Sequence, residues 1–186
     1  LNEKIAPGNE YEVEQLCWIT EPNKRIKYSN FIWRRGTVPI HWKSEITNAV
    51  SDAKAIRLRG VLGKLDCLML NRGEAATLTG LSRDASSEDL AAALMQTGLK
   101  SFVLTSAASD VLVLESGKLH RFAPLQTDIV DVTGAGDALT AGTVAALARG
   151  YGLKQAVPLG LAAAALTLRS TGALAEELSW DALANF

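Results

Sequence analysis

The chain has 186 residues and a mass of 19.8 kDa, with 48% hydrophobic and 21% charged residues. That suffices for a domain with a real core, and a net charge of −1 with pI near 6.2 gives no electrostatic basis for nucleic acid or an anionic membrane as partner. No apolar run approaches the roughly 20 residues of a spanning helix and no signal peptide opens the chain. Cys17 and Cys67 cannot build a disulfide framework, and no Cys/His cluster has zinc spacing. A cytoplasmic protein is expected, and a start at Leu1 in place of Met fits a fragment.

Composition changes sharply near residue 48. Residues 1–47 hold six of the eleven aromatics, a single alanine and no aspartate, and the remaining 27 alanines and every aspartate follow. Two pieces of different origin are expected, 1–47 and 48–186, with a junction around Thr47 to Asp52. A β-rich lobe followed by an α-rich lobe of one domain is the alternative, because aromatics favour strands and alanine favours helices. In the first piece, Tyr11–Thr20 and Ile26–Trp33 read as strands around a turn at Glu21–Lys24. Pro39 makes Thr37–Trp42 an edge strand or no strand at all.

The second piece alternates helix and strand. Helical spacing over Ser51–Leu62 precedes a buried strand at Asp66–Leu70 and a short helix from Glu74 that Gly80 ends. Ser86 and Asp89 form a capping pattern for the next helix, which Gly98 stops. Ser101–Thr105 is a strand, Val111–Glu115 and Lys118–Phe122 a hairpin, and Ile129–Val132 a further strand. Helices follow over Asp137–Ala148 and Leu153–Leu168, and a short one begins at Ser179. This order predicts an α/β layered fold with a mostly parallel sheet.

The stretch richest in chemistry is Asp131-Val-Thr-Gly-Ala-Gly-Asp137, read as a strand-to-helix loop. Gly134 and Gly136 permit a tight turn, and the amides at the helix start would form an anion hole for a phosphate or a developing oxyanion. Asp137 beside it is a candidate general base that activates a hydroxyl for attack on a phosphoryl group. The plain alternative is a turn with Thr133 or Asp137 as N-cap. A dinucleotide loop is excluded, because Leu139 takes the sixth position of G-x-G-x-x-G and no acidic residue follows about 20 positions on. No Gly-Lys-Ser/Thr follows to make a Walker loop.

At this loop the sequence resembles the ribokinase-like (PfkB) sugar and nucleoside kinases, whose signature reads D-T-T-G-A-G-D-x-F, with Leu139 here in place of the Phe. The resemblance runs over about residues 48–180. Asn71-Arg-Gly-Glu74 matches the family's N-x-x-E motif, and residues 53–80 are most similar to the pseudouridine-kinase-like branch. The resemblance implies the C-terminal portion of a three-layer ribokinase-like fold. It also implies ATP as phosphoryl donor, Mg²⁺, and a sugar or nucleoside acceptor. By position, Asp137 would be the catalytic base, and Gly134, Ala135 and Gly136 the anion hole. Asn71 and Glu74 would organise Mg²⁺ and its waters. Asp131 would help to hold a monovalent cation such as K⁺, with Thr133, Thr167, Ser170 and Gly172 as candidate carbonyl partners or, equally, ordinary loop and helix-end residues. A homodimer is also compatible with the family.

Two departures stand out. The family's T-x-G-x-x-G nucleotide loop is here Thr105-Ser-Ala107-Ala-Ser-Asp110. Ala107 adds a methyl where close approach is wanted, and Asp110 adds a negative charge near where the phosphates would lie, so weak ATP binding that Asp110→Gly improves is expected. The second departure is larger: nothing in residues 1–47 matches the family's N-terminal, substrate-holding half. Those residues resemble a fragment of a Sac-type phosphoinositide phosphatase, through NEYEVEQLCWI and the Ser29–Trp42 segment, but lack its C-x₅-R nucleophile motif. Arg34 and Arg35 could bind a phosphate but read first as a solvated basic turn, His41 and His120 as strand residues, and Cys67 as a small core residue. Three functions follow: the catalytic C-terminal half of a PfkB-type kinase, a mosaic remnant that binds nucleotide or phosphate weakly, or a phosphoinositide-binding module in residues 1–47.

Overall fold

The computed structural model describes residues 3–5, 11–15, 31–35, 46–48, 55–107, 109–172, 175 and 177–186. The turn at 21–24, the segment 37–42, Cys17, His41 and residues 49–54 lie outside them. In the first piece, β1 (Glu3–Ile5), β2 (Tyr11–Gln15) and β3 (Phe31–Arg35) form an antiparallel sheet in that order. β2 and β3 fall on the two expected strands, although Arg34 and Arg35 belong to β3 and pair with Glu12 and Tyr11, so they are strand residues and not a turn.

The second sheet has five strands in the order β4-β5-β6-β7-β8: β4 (Ile46–Asn48), β5 (Cys67–Asn71), β6 (Phe102–Thr105), β7 (Val111–Glu115) and β8 (Lys118–Phe122). β4, β5 and β6 are parallel. β7 runs antiparallel to β6 and closes the expected hairpin with β8. β4 straddles the expected boundary at residue 48 and pairs Ile46 with Cys67 and Asn48 with Met69.

The period-2 alternation of the strands builds the layers. Leu68, Leu70, Phe102, Leu104, Leu112 and Leu114 point to one face, where α1 (Arg72–Thr79) and α2 (Ser87–Met95) cover them. Cys67, Met69, Val103, Val111 and Val113 point to the other, beneath α3 (Ala135–Ala148) and α4 (Leu153–Leu168). A sheet apolar on both faces must be covered on both, which gives the three layers. α5 (Trp180–Ala184), through Leu183, and Ala175 ahead of it close the far side of α3 and α4.

Two expectations need correction. Ile129–Val132 is not a strand: Val130 and Asp131 N–H groups both donate to the Leu168 carbonyl, at 2.7 and 3.3 Å, and no ladder forms. Ile129, Val130 and Val132 are 65%, 58% and 70% exposed, so their apolar run reflects no buried strand. The helical spacing before β5 is realised as two 3₁₀ turns, Ile56–Gly60 and Leu62–Lys64, which Gly60 and Gly63 keep short while Leu58 and Leu62 remain buried.

α3 and α4 cross unusually closely. A Cβ on Gly160 would lie 2.1 Å from Thr143 Oγ1 and 2.5 Å from the Leu139 carbonyl oxygen, and one on Gly142 would lie 2.9 Å from Ala163 Cβ. Only hydrogen at both positions permits this approach. The Thr143 hydroxyl fills the Gly160 notch, fully buried and, among the described residues, without a hydrogen-bond partner. Glu115, at the end of β7, fixes the start of α4 by accepting from the Leu153 and Lys154 amides at 2.5 and 3.1 Å.

Candidate active site

The helix ends bring the sequence motifs to one edge of the sheet. β5 and β6 end at Asn71 and Thr105, which are register partners. β7 is antiparallel, so Glu115 lies at the opposite edge, and α4 starts there. α4 therefore runs back toward the carboxyl edge, where its Leu168 carbonyl receives the Val130 and Asp131 amides just ahead of the glycine loop. The N-terminus of α3 is thereby placed at the carboxyl edge of the parallel strands, the usual location of sites in open α/β sheets.

The loop builds a bare helix start. Gly134 is the N-cap of α3, with φ 84 and no side-chain cap, so neither Thr133 nor Asp137 caps the helix. A side chain would be strained at that φ, which explains the glycine. The Ala135 N–H closes the turn on the Val132 carbonyl at 3.4 Å. The Gly136 and Asp137 amides belong to the first turn and have no intrahelical partner. A Cβ on Gly136 would meet nothing within 4 Å, so the side of the helix start at this residue is open. Asp137 is exposed and, among the described residues, its carboxylate has no hydrogen-bond or ion-pair partner.

Asp131 ties this loop down. Its Oδ1 accepts from the Thr133 N–H at 2.8 Å and its Oδ2 from the Gly172 N–H at 3.2 Å. The Thr133 amide, then its hydroxyl, and the Gly172 amide hold the carboxyl below the usual carboxylate range. Asp131, Thr133 and Gly172 are thus brought together. Thr167 and Ser170 are adjacent but turned inward: the Thr167 hydroxyl donates to the Ala163 carbonyl at 3.0 Å, and the Thr167 carbonyl accepts from both the amide and the hydroxyl of Ser170 at 3.1 and 2.9 Å.

Asn71 and Glu74 meet in a reciprocal capping box that starts α1. Asn71 Oδ1 accepts from the Glu74 amide at 3.0 Å, and Glu74 Oε2 accepts from the Asn71 amide at 2.8 Å. Glu74 is buried, and Thr105 Oγ1 reaches the Leu70 carbonyl at 3.4 Å, so the three residues adjoin at the strand ends. One buried carboxylate and one amide do not make a metal cage, and among the described residues no group of three or more His, Cys, Asp or Glu side chains could hold an ion. The pair fits Mg²⁺ that arrives on phosphate oxygens and keeps most of its waters.

The loop after β6 differs from its sequence expectation in one respect. Ala107 has φ 44, a left-handed conformation that a glycine would take without strain. Asp110, however, is not an unpaired charge. Its Oδ2 accepts from Arg121 Nη1 at 3.0 Å, and Arg121 Nη2 bonds Glu88 in the first turn of α2. Sequence reasoning missed Arg121, whose only signal was a basic residue opposite Leu112 in the hairpin.

Residues 44–180 match the pattern of the pfkB family carbohydrate kinases. The chain belongs to this family. It is 36% identical over 96 residues to the pseudouridine kinase of Escherichia coli, a stretch that covers 50% of this chain and 31% of that kinase. A carbohydrate kinase structure from Agrobacterium tumefaciens is 37% identical with a TM-score of 0.64, over 77% of this chain and 45% of that one. A putative ribokinase II from E. coli, solved in complex with ATP and Mg²⁺, shares the fold at 20% identity and a TM-score of 0.60, over 72% of this chain and 42% of that one. The chain thus spans less than half of each of these proteins. Other curated relatives carry names as different as cytidine kinase and fructokinase, so the pfkB membership sets a kinase lineage and not an acceptor. Residues 1–73 match the SacI homology domain, in agreement with the resemblance of the first piece. No helix among the described residues is long and apolar enough to cross a membrane.

Proposed function

We propose that residues 48–186 are the nucleotide-side half of a pfkB kinase that transfers the γ-phosphoryl group of ATP to a hydroxyl of a sugar or ribonucleoside. The observation that carries this reading is an exposed Asp137, without a partner among the described residues, beside two orphan amides at the start of α3. A carboxylate there is unfavourable to an approaching anion unless it takes a proton. In the reaction, the acceptor oxygen attacks the γ-phosphorus, its proton passes to the Asp137 carboxylate, and the bond to the β–γ bridging oxygen breaks to release ADP. The Gly136 and Asp137 amides and the α3 dipole face the charge that develops on the transferring group. Asp131 holds the loop in place through Thr133 and Gly172. Mg²⁺, when bound with the nucleotide, neutralises phosphate charge, and Glu74 and Asn71 at the neighbouring strand end would hold its waters.

Pseudouridine-like substrates are the favoured acceptors, supported by the likeness of residues 53–80 and by the 36% identity to a pseudouridine kinase. A coupled ADP-release assay across a panel of sugars and ribonucleosides tests this. Turnover with a hexose and none with any ribonucleoside would displace it. A second reading, a non-catalytic remnant that binds nucleotide weakly, is supported by the 31–45% of these relatives that the chain covers. Absence of turnover with retained ATP binding would select it.

The proposed boundary at 47/48 falls inside β4, and the pfkB match starts at residue 44. A boundary just before Ile46 accommodates both. Limited proteolysis that leaves a resistant fragment starting close to β4 supports two pieces, whereas a chain resistant throughout supports one domain.

A further inference from the structure

Asp110 appears in the sequence as a charge that should repel phosphate, yet the structure places it in a three-element ion-pair chain. Asp110 lies in the loop between β6 and β7. Arg121 lies on β8 opposite Leu112, and Leu112 points to the α1/α2 face. Arg121 therefore projects to that face, where it bonds both the Asp110 carboxylate and Glu88 at the start of α2. The bare amides of α3 belong to the helices on the opposite face of the sheet. Hydrogen bonds to Glu88 and then Asp110 raise the proton affinity of the guanidinium.

We propose that Arg121 is a positioning residue for nucleotide recognition: it draws the Asp110 carboxylate to the α2 side of the sheet and so keeps that charge away from the phosphates. The proposal rests on the reading of Thr105–Asp110 as the nucleotide loop. Its consequence is opposite to the sequence expectation. Asp110→Gly or Asp110→Asn changes affinity little while Arg121 is present, because the charge is already paired. Arg121→Gln frees the carboxylate, and affinity then falls with the number of phosphates on the ligand.

Calorimetry on the full chain with ATP·Mg²⁺, ADP and adenosine at low and high ionic strength tests the idea. Arg121→Gln should weaken ATP·Mg²⁺ binding about fivefold at low salt, and much less at high salt where exposed charges are screened. Adenosine binding should stay unchanged, and Arg121→Gln/Asp110→Asn should restore ATP affinity. Glu88→Gln separates this from mere loosening of the contact between β8 and α2, since it breaks that contact without freeing Asp110 and should leave binding intact. Equal ATP affinity in wild type and Arg121→Gln, or a loss that Asp110→Asn does not rescue, overturns the proposal and leaves the kinase reading standing. A wild-type chain that binds no nucleotide at all overturns both.

Discussion

Replacing Gly160 by alanine sets two effects of known size against each other. Glycine inside a helix is about 1 kcal/mol worse than alanine, so in isolation the substitution should stabilise α4. At this crossing the new methyl would sit 2.1 Å from Thr143 Oγ1 and 2.5 Å from the Leu139 carbonyl oxygen. The hydroxyl is fully buried, and the carbonyl is backbone. Normal contact distances require α4 to retreat by about 1 Å, enough to forfeit a quarter to a half of the dispersion energy between facing atoms. Leu139, Leu147, Val157 and Leu161 all pack in that layer. Overpacking of this kind costs about 3 kcal/mol at the upper end of the usual range, which leaves a net loss of about 2 kcal/mol. For a chain of this size that lowers Tm by about 4–8 °C. Thermal unfolding by far-UV circular dichroism measures it, with Gly136→Ala as the control because its methyl meets open space. A Tm equal to or above wild type for Gly160→Ala would show that the helices do not cross this closely.

Gly136→Ala should leave Tm within about 2 °C of wild type, because its methyl meets open space, yet weaken ATP·Mg²⁺ binding by crowding the approach to the first-turn amides; undiminished binding would place the phosphates elsewhere. Cys67 is buried, and desolvation, with smaller contributions from Glu115 and Asp66, pushes its thiol up to about 12. In a Cys17→Ser background, native protein at pH 8 should resist thiol reagents until it unfolds, and rapid labelling would contradict its burial. Asp131 has a folded-state affinity for protons lower than its unfolded one. The stability it contributes is present above the ordinary carboxylate range and is lost as pH falls through the lowered value. Asp131→Asn should therefore reduce the loss of stability on acidification, and denaturation midpoints that follow the same pH curve in both proteins would remove this role.

The layered fold was legible because the relevant signals are local. The Ser86 hydroxyl accepts the Asp89 amide as the capping pattern predicted, and the hairpin turned at Ser116 and Gly117, both with positive φ. The end of α3 at Ala148 and both boundaries of the alanine-rich α4 fell as expected, whereas α3 starts at Ala135, two residues before the expected Asp137. What failed was non-local. Ile129–Val132 has the composition of a buried strand, but its amides find the end of α4 and no neighbouring strand, which periodicity cannot reveal. β4 was unreadable because three residues owe their strand state to pairing with Cys67–Met69. At the site, the glycine loop and the N-x-x-E pair were visible as motifs. That Asn71 and Glu74 cap each other, and that Asp110 is paired with Arg121, depends on residues brought together by the sheet. A charge counted in sequence has no sign of influence until its partner is known.

The central claim is that Asp137 takes the proton of an acceptor hydroxyl at the start of α3. Its most direct test is phosphoryl transfer from labelled ATP to a ribonucleoside by wild type and Asp137→Asn, with circular dichroism to confirm an unchanged fold. Because Asp137 is exposed and has no partner among the described residues, the substitution should leave stability intact. Turnover should fall by about 10²–10⁴, the range for loss of a general base, with ATP binding retained. Equal turnover by the two proteins would contradict the account.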